Sequence, residues 1–361
     1  MYYSIGMEDI LRKAVEAGVP IVLWGEPGIG KTARIEALAS DAGYALYSIV
    51  LSHYDPVELH GVMIADPRTG RTRRATPDWV SPEVFQDDFR AILFFDELST
   101  STPAQQAAAL RIFSDRQLGG RRLGNEVRLI AAANPPDCAA GGAELAPPMA
   151  NRWAHIYVRP DMEDFSSNFP SLWGRETAGD EASQARQRAR TMIVGFLRRR
   201  PELLHRMPQD PAEASGPWPS PRSWELCSRL IAGESSSDRI LAAAAATVGH
   251  AAAAELASWL RDADIPDPED VLREPETAHI PERGDVLYAA IGSVIQAALA
   301  RPSAARVRAV WRYLARVAGE GHADVCAPYI RRLISEGARH FSPTSEPALI
   351  APFRRVVEAA R

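Results

Sequence analysis

The chain has 361 residues, too many for one ordinary domain, so its length predicts two or three domains, each with its own core. Hydrophobic residues make up 46% and charged residues 24%, with a formal net charge of −5, which disfavours a nucleic-acid-binding protein because such domains are usually strongly basic. Three widely spaced cysteines form neither a disulfide framework nor a metal site. With no signal peptide and no apolar stretch of about 18 residues, we expect a cytoplasmic protein that does not enter a membrane.

The first informative stretch joins a helix and a strand to a glycine-rich loop. Apolar residues at helical spacing between Met7 and Ala17 predict an amphipathic helix, and the apolar run Ile21–Trp24 predicts a strand. The strand leads into a segment that fits G-x-x-x-x-G-K-[ST] at every fixed position, the pattern of a phosphate-binding loop. The predicted nucleotide-binding residues of this loop are Gly25, Glu26, Pro27, Gly28, Ile29, Gly30, Lys31 and Thr32.

Each fixed position of the loop has a chemical task. The glycines allow a tight turn in which successive backbone N–H groups face phosphate oxygens, and the helix that starts near Lys31 adds its positive end. We expect Lys31 to reach the β and γ phosphates and the Thr32 hydroxyl to bind Mg²⁺. Because Lys13 is the only other lysine, composition does not explain a lysine at this position.

The following elements predict a parallel α/β fold with an inserted hairpin. A helix that Gly43 ends and a strand from Tyr44 to Leu51 complete a strand, helix, strand unit, which implies a parallel sheet. A turn signal at residues 66–70 then predicts a small hairpin, which is basic. Two interpretations of it stay open, a solvated hairpin without a partner and a hairpin that lines a pore. Its arginines are Arg68, Arg71, Arg73 and Arg74.

A second motif lies about 65 residues after the loop, in the buried-strand pattern Ala91–Glu97. Five apolar residues followed by two acids predict a strand that presents carboxylates at its carboxyl end, where α/β sheets bind ligands. In a Walker B motif, Asp96 would hold Mg²⁺ through water, and Glu97 would orient and polarise the attacking water. The alternative is a pair of surface acids that end a core strand.

One more strand, Leu129–Ala133, ends in a polar residue at the same sheet edge. It follows a predicted helix over residues 103–116 and a second short hairpin within residues 118–129. Asn134 can hydrogen-bond the γ-phosphate or the attacking water, although an asparagine before a proline also suits an ordinary turn.

These motifs together resemble the AAA+ ATPases, and among them the MoxR group of the helix-2-insert clade. The resemblance rests on GEPGIGKT, ILFFDE, a late strand ending AAANPP, and ELAPPMANRWAHIYV, with hairpins at residues 61–79 and 118–128 where that clade has insertions. It implies that Arg152, in Met149–Trp153, is an arginine finger for the ATP of a neighbouring subunit. An intrachain salt bridge is the alternative for Arg152. The family usually has Phe where Trp153 stands.

The second half of the chain is predicted to be helical, with little visible chemistry. We expect a linker over residues 161–181, a helix over 184–204 and a proline-rich loop over 210–221. Residues 238–260 complete a helical lid, in which the alanine-rich run 242–257 is predicted to be a helix. Pro-Ser-Pro-Arg-Ser-Trp resembles the family's sensor 2 segment, which would make Arg222 a second γ-phosphate arginine, acting in its own subunit or on a neighbour. The predicted domains are an α/β core at 1–160, a helical lid at 161–262 and a helical extension at 263–361.

The expected activity is ATP hydrolysis with Mg²⁺, in a homo-oligomeric ring for which a hexamer is the expected size. ATP is preferred over GTP because the guanine signature Asn-Lys-x-Asp needs a lysine, and none follows residue 31. Resemblance to MoxR proteins implies a chaperone-like role on a protein client that contains a von Willebrand factor A domain. Two alternatives are a motor that acts on nucleic acid and a nucleotide-dependent scaffold that hydrolyses weakly.

Overall fold

Five parallel strands form the centre of the first of two units in the computed structural model, which describes residues 7–136, 138, 144–172, 180–343 and 346–354. The units are Met1–Arg159 and Pro160–Arg361. In the first unit the strand order is β2-β5-β8-β1-β9, and two short hairpins, β3-β4 and β6-β7, stand outside the sheet. The strands are β1 (Ile21–Trp24), β2 (Ala45–Val50), β3 (Met63–Ala65), β4 (Thr72–Arg74), β5 (Ala91–Asp96), β6 (Gln117–Leu118), β7 (Arg121–Arg122), β8 (Val127–Ala133) and β9 (Ala154–Tyr157).

Helices cover both faces of this sheet, as its apolar strands require. Side chains alternate between the faces, so Ile21 and Leu23 pack with one set of helices and Val22 with the other. The helices of this unit are α1 (Met7–Glu16), α2 (Lys31–Ala42), α3 (Pro56–His60), α4 (Pro103–Asp115) and α5 (Pro147–Ala150). The predicted parallel α/β fold is therefore confirmed.

The second unit is helical and has one continuous core. Its central helix, α13, buries residues all around its axis, as a helix without a polar face must. The core includes Trp224 and Trp259, from the predicted lid, and Tyr288 and Trp311, from the predicted extension. The helices are α6 (Met162–Asn168), α7 (Glu181–Arg199), α8 (Pro211–Ala214), α9 (Pro221–Ile231), α10 (Ser237–Val248), α11 (His250–Asp262), α12 (Pro268–Arg273), α13 (Gly284–Ala300), α14 (Ala304–Gly319), α15 (Ala323–Gly337) and α16 (Pro347–Ile350). The division of this unit at residue 262 stays a prediction.

Three expectations for the second unit were wrong. The segment predicted as a proline-rich loop contains the short helix α8, because Pro211 stands in its first turn, where proline suits a helix. The segment predicted as a linker contains α6, because Phe165 and Phe169 stack with ring centroids 4.2 Å apart and are buried in the core. The helix predicted over the alanine-rich residues 242–257 is two helices separated at Gly249, whose φ of 81° is in the left-handed region. A Cβ at Gly249 would lie 2.8 Å from the Pro217 carbonyl oxygen, so the bend needs glycine.

No part of the described chain forms a helix with the length and apolar character that a membrane span requires.

Close packing between α7 and α13 predicts a stability difference between two glycine substitutions. A Cβ at Gly195 would lie 2.9 Å from the Ala289 Cβ and 3.0 Å from the Asp285 carbonyl oxygen, so Gly195→Ala should lower the free energy of unfolding by about 1–3 kcal/mol. At Gly319, the last residue of α14, a Cβ meets no atom within 4 Å, so Gly319→Ala should change stability by less than about 1 kcal/mol. Urea unfolding followed by circular dichroism measures both. Equal stability of the two variants would contradict the close approach.

Candidate active site

The strand order brings three sequence motifs to one edge of the sheet. Strand β8 lies between β5 and β1, and all three strands are parallel, so their carboxyl ends are neighbours. The phosphate-binding loop follows β1, Asp96 ends β5, and Asn134 follows β8. Motifs that are far apart in sequence therefore meet at the edge where α/β sheets bind ligands.

The loop itself has the backbone expected for anion binding. Gly28 and Gly30 have φ angles of 79° and 91°, and α2 begins directly after Gly30. The Gly25 N–H donates to the Ala133 carbonyl oxygen at 3.2 Å, which ties the start of the loop to the end of β8. The N–H groups in the first turn of α2 have no partner within the helix, so the loop ends in a set of donors suited to phosphate oxygens.

Lys31 links the loop to the neighbouring strand end. Its side chain is only 9% exposed, and Nζ donates to the carbonyl oxygens of Gly25 at 2.7 Å and Glu26 at 3.0 Å. The third bond goes to Asn134 Oδ1 at 2.8 Å. All three ammonium protons thus have neutral oxygen acceptors, and these hold the cation within the loop.

Thr32 and Asp96 place two oxygens where a hard cation could bind. Thr32 Oγ1 donates to Asp96 Oδ2 at 2.7 Å, and Asp96 Oδ1 accepts from the Glu97 N–H at 2.9 Å. A hydroxyl and a carboxylate beside a phosphate loop fit Mg²⁺, which takes one or two protein oxygens and completes its shell with water and phosphate. The described residues contain no cluster of three or more His, Cys, Asp or Glu suited to a metal, and this type of Mg²⁺ site does not require one.

Glu97 stands in a strained turn at the end of β5. Its φ of 51° is in the left-handed region, which costs a residue other than glycine about 1 kcal/mol or more, and its side chain is exposed. The Glu97 carbonyl oxygen accepts from the Thr100 N–H at 2.9 Å and from Thr100 Oγ1 at 2.8 Å, which holds the turn. The turn therefore presents a carboxylate directly beside Asp96.

Ser99 supports the site, and our sequence analysis missed it. Its side chain is buried, and its Oγ accepts from the Asn134 backbone N–H at 3.0 Å, so it fixes the residue whose side chain holds Lys31. The sequence shows only a small hydroxyl residue two positions after Glu97. Its partner Asn134 is 35 residues away, so no local pattern indicates the hydrogen bond.

Arg152 does not join these residues in the described contacts. It is exposed in the turn after α5, where its guanidinium bonds the Pro148 carbonyl oxygen, and it forms no salt bridge with any described residue. Trp153 anchors the turn because its buried ring packs edge-on against Phe113, with centroids 4.6 Å apart. The alternative role for Arg152, an intrachain salt bridge, thus has no support among the described residues.

Arg222 lies in the second unit, at the start of α9. This helix begins with a capping box of Ser220 and Ser223, and the buried Trp224 donates its indole N–H to the Leu203 carbonyl oxygen at 2.7 Å. Arg222 itself is exposed. Its assignment to a nucleotide stays a prediction.

The sheet order, the loop and the residues around it define a P-loop NTPase domain of the AAA type. Residues 21–141 match the sequence model of the family described as "ATPase family associated with various cellular activities (AAA)". That match contains the loop, Asp96, Glu97 and Asn134, and it ends before Arg152 and Arg222. The match covers less than half of the chain and supports a P-loop NTPase fold of the AAA type, without resolving a subgroup.

Comparisons with whole proteins add little to this assignment. No curated protein matches the chain. Among solved structures, a protein described as a putative ATPase from Cytophaga hutchinsonii is 18% identical, and the alignment covers 68% of this chain and 81% of that one. Its TM-score is 0.34, so it carries no argument about this chain.

The two lysines of the chain allow a matched test of the loop. Lys31→Ala should weaken ATP binding about a hundredfold. It removes charge-assisted hydrogen bonds worth about 1.5 kcal/mol each, and the loss of two such bonds raises the Kd by about that factor. Lys13→Ala, on the exposed side of α1, should leave the Kd unchanged. Isothermal titration calorimetry with ATP and Mg²⁺ measures both. Native affinity in the Lys31 variant would contradict the assignment of the loop.

Proposed function

We propose that this chain is a subunit of an AAA+ ring that hydrolyses ATP and uses it to remodel or activate a partner protein. The observation that carries the proposal is the pair of hydrogen bonds that join Lys31 to Asn134 and Thr32 to Asp96. They bring a phosphate-binding cation, a metal-binding oxygen pair and a polar γ-phosphate contact to one place, as phosphoanhydride hydrolysis needs.

Each side chain of the site has a separate part in hydrolysis. Lys31 neutralises charge on the β and γ phosphates, and Asn134 hydrogen-bonds the γ-phosphate or the attacking water. Glu97, exposed beside Asp96, orients and polarises that water. Thr32 and Asp96 would hold Mg²⁺, which neutralises phosphate charge when bound. Arg222 is the second arginine proposed for the γ-phosphate, in its own subunit or a neighbour.

Adenine is the proposed base for a reason visible in the sequence. The guanine-specific signature of small GTPases contains a lysine, and this chain has no lysine after Lys31. ATP is therefore the substrate we propose.

The exposed position of Arg152 supports a ring. Trp153 and Met149 are buried on either side of it, so the turn is held while the guanidinium faces outward from its own described core. In an AAA+ ring such an arginine completes the site of the next subunit and contributes on the order of 10³-fold in rate. We propose a homo-oligomer, with a hexamer as the expected size.

The β3-β4 hairpin supports a protein partner rather than nucleic acid. Besides its arginines it exposes Val62, Met63 and Ile64, with 53%, 57% and 42% of their surface accessible. Neighbouring exposed apolar side chains mark protein contacts, whereas a nucleic-acid surface would be dominated by basic residues. A client with a von Willebrand factor A domain and a chaperone-like role remain proposals that rest on the resemblance to MoxR proteins.

The hairpin predicts a separation of coupling from hydrolysis. Arg74 bonds the Gly61 carbonyl oxygen at 3.4 Å and is best kept, whereas Arg71 and Arg73 are exposed. One combined variant changes Arg71 and Arg73 to Gln and changes Met63 and Ile64 to Ser. Its basal ATPase rate should be nearly unchanged, and the stimulation of that rate by the client should be lost. Arg122→Gln on the β6-β7 hairpin is the matched control. ATPase assays with a von Willebrand A protein, with single-stranded DNA and with neither compare the partners. Retained stimulation by the protein would contradict a client role for the hairpin.

Mixed rings test whether Arg152 acts between subunits. Glu97→Gln should bind ATP without turnover because the amide keeps the shape of the side chain and loses its charge, and Arg152→Ala alone should also be inactive. A mixture should recover part of the activity, since some interfaces then pair an intact Glu97 with an intact Arg152 of the next subunit. ATPase rates across mixing ratios, with ring formation followed by light scattering, measure this. If no ratio recovers activity while mixed rings form, Arg152 does not act in trans.

A further inference from the structure

The imidazole of His155 connects the end of β1 to the end of α5. Trp24 Nε1 donates to His155 Nδ1 at 2.8 Å, and His155 Nε2 lies 2.8 Å from the Ala150 carbonyl oxygen. The planes of the two rings are only 11° apart. One side chain therefore contacts both the last residue of β1 and the last residue of α5.

Hydrogen-bond chemistry allows one arrangement of protons in this bridge. The indole Nε1 can only donate, so His155 Nδ1 must accept. The ring proton is then on Nε2, where it donates to the Ala150 carbonyl oxygen. Both contacts are satisfied by the neutral histidine with its proton on Nε2, and by no other form of the ring.

Each end of the bridge leads directly to a residue of the proposed hydrolysis machinery. Trp24 precedes Gly25, whose carbonyl oxygen accepts from Lys31 Nζ at 2.7 Å. Ala150 precedes the turn that carries Arg152, and the Arg152 guanidinium bonds the same short helix at Pro148. The bridge thus fixes the helix that precedes the Arg152 turn relative to the strand that precedes the phosphate-binding loop.

The sheet does not need a histidine at this position. Along β9, Ile156 and the following Val158 are buried in the core, whereas His155 is exposed on the opposite face. An exposed strand residue can be changed with little effect on the fold. The two hydrogen bonds of His155 therefore serve the orientation of α5 more than the stability of the sheet.

We propose that His155 is a positioning residue that orients Arg152 toward the active site of the next subunit. This rests on the proposed trans role of Arg152. In the absence of the bridge, α5 keeps its anchors at Met149 and Trp153, but the direction of the guanidinium is no longer fixed relative to β1. Because catalytic groups act only over short distances, a displacement of about 1 Å can cost one to two orders of magnitude in rate.

Mixed rings reveal which subunit is affected by the loss of His155. In a mixture of Glu97→Gln and Arg152→Ala subunits, the first supplies the arginine and the second supplies the active site. His155→Ala added to the Glu97→Gln subunit should lower the recovered rate about tenfold. The same change added to the Arg152→Ala subunit should leave it unchanged, because that subunit has no finger to orient. ATP affinity and thermal unfolding should match those of the parents.

A conservative variant and the remaining outcomes complete the test. His155→Gln in the Glu97→Gln subunit can donate to the Ala150 carbonyl oxygen, so it should restore part of the rate. An equal loss in both backgrounds would overturn the proposal, since His155 would then act on its own subunit's site or on folding. No loss in either background would overturn it as well. If the parental mixture itself recovers no activity, the trans role of Arg152 fails first, and the proposal for His155 fails with it.

Discussion

The hydrogen bond between Lys31 Nζ and Asn134 Oδ1 joins residues 103 positions apart, and the rest of the site depends on it. It is possible only because β8 is inserted between β1 and β5, so that Asn134 stands beside the phosphate-binding loop. The buried hydroxyl of Ser99 holds the asparagine backbone, and two loop carbonyls hold the lysine. A buried ammonium needs such acceptors, because an unsatisfied buried charge is costly. The sheet topology thus supplies the acceptors that offset the cost of burying the ammonium group and that fix its position.

Most of the site was predictable because its signals are local. Each motif spans fewer than about ten residues, namely the glycine spacing with its lysine and the two acids after an apolar strand. The parallel sheet follows from the order of strand, helix and strand. Asn134 was predicted because strand ends of a parallel sheet share one edge. Ser99 and His155 were missed because their roles come from partners that are distant in the sequence. No local pattern distinguishes them from ordinary polar residues.

The second unit was less predictable for the same physical reason. Residues 161–181 are mostly polar, so two aromatic residues that anchor α6 in the core were overlooked, and the short helix α8 lies within the expected proline-rich loop. The alanine-rich run after residue 238 has high helix propensity on both sides of Gly249, so its sequence favours an unbroken helix. The bend depends on the Pro217 carbonyl, which packs against Gly249 and is distant in the sequence. Cys227 and Cys326 are buried in this unit, and burial raises the pKa of Cys227 to about 11 and that of Cys326 to about 12, which keeps both thiols protonated at neutral pH.

The scarcity of lysine has a consequence for chemical modification. The only two side-chain amines of the chain are Lys13, exposed on α1, and Lys31, almost fully buried within the loop. On the proposed function, acylation of Lys13 would have little consequence, whereas acylation of Lys31 would remove the cation that contacts phosphate. The remaining positive charge is carried by arginine, which does not undergo this chemistry under the same conditions. A single acyl group on lysine would thus either leave the proposed nucleotide site intact or disable it.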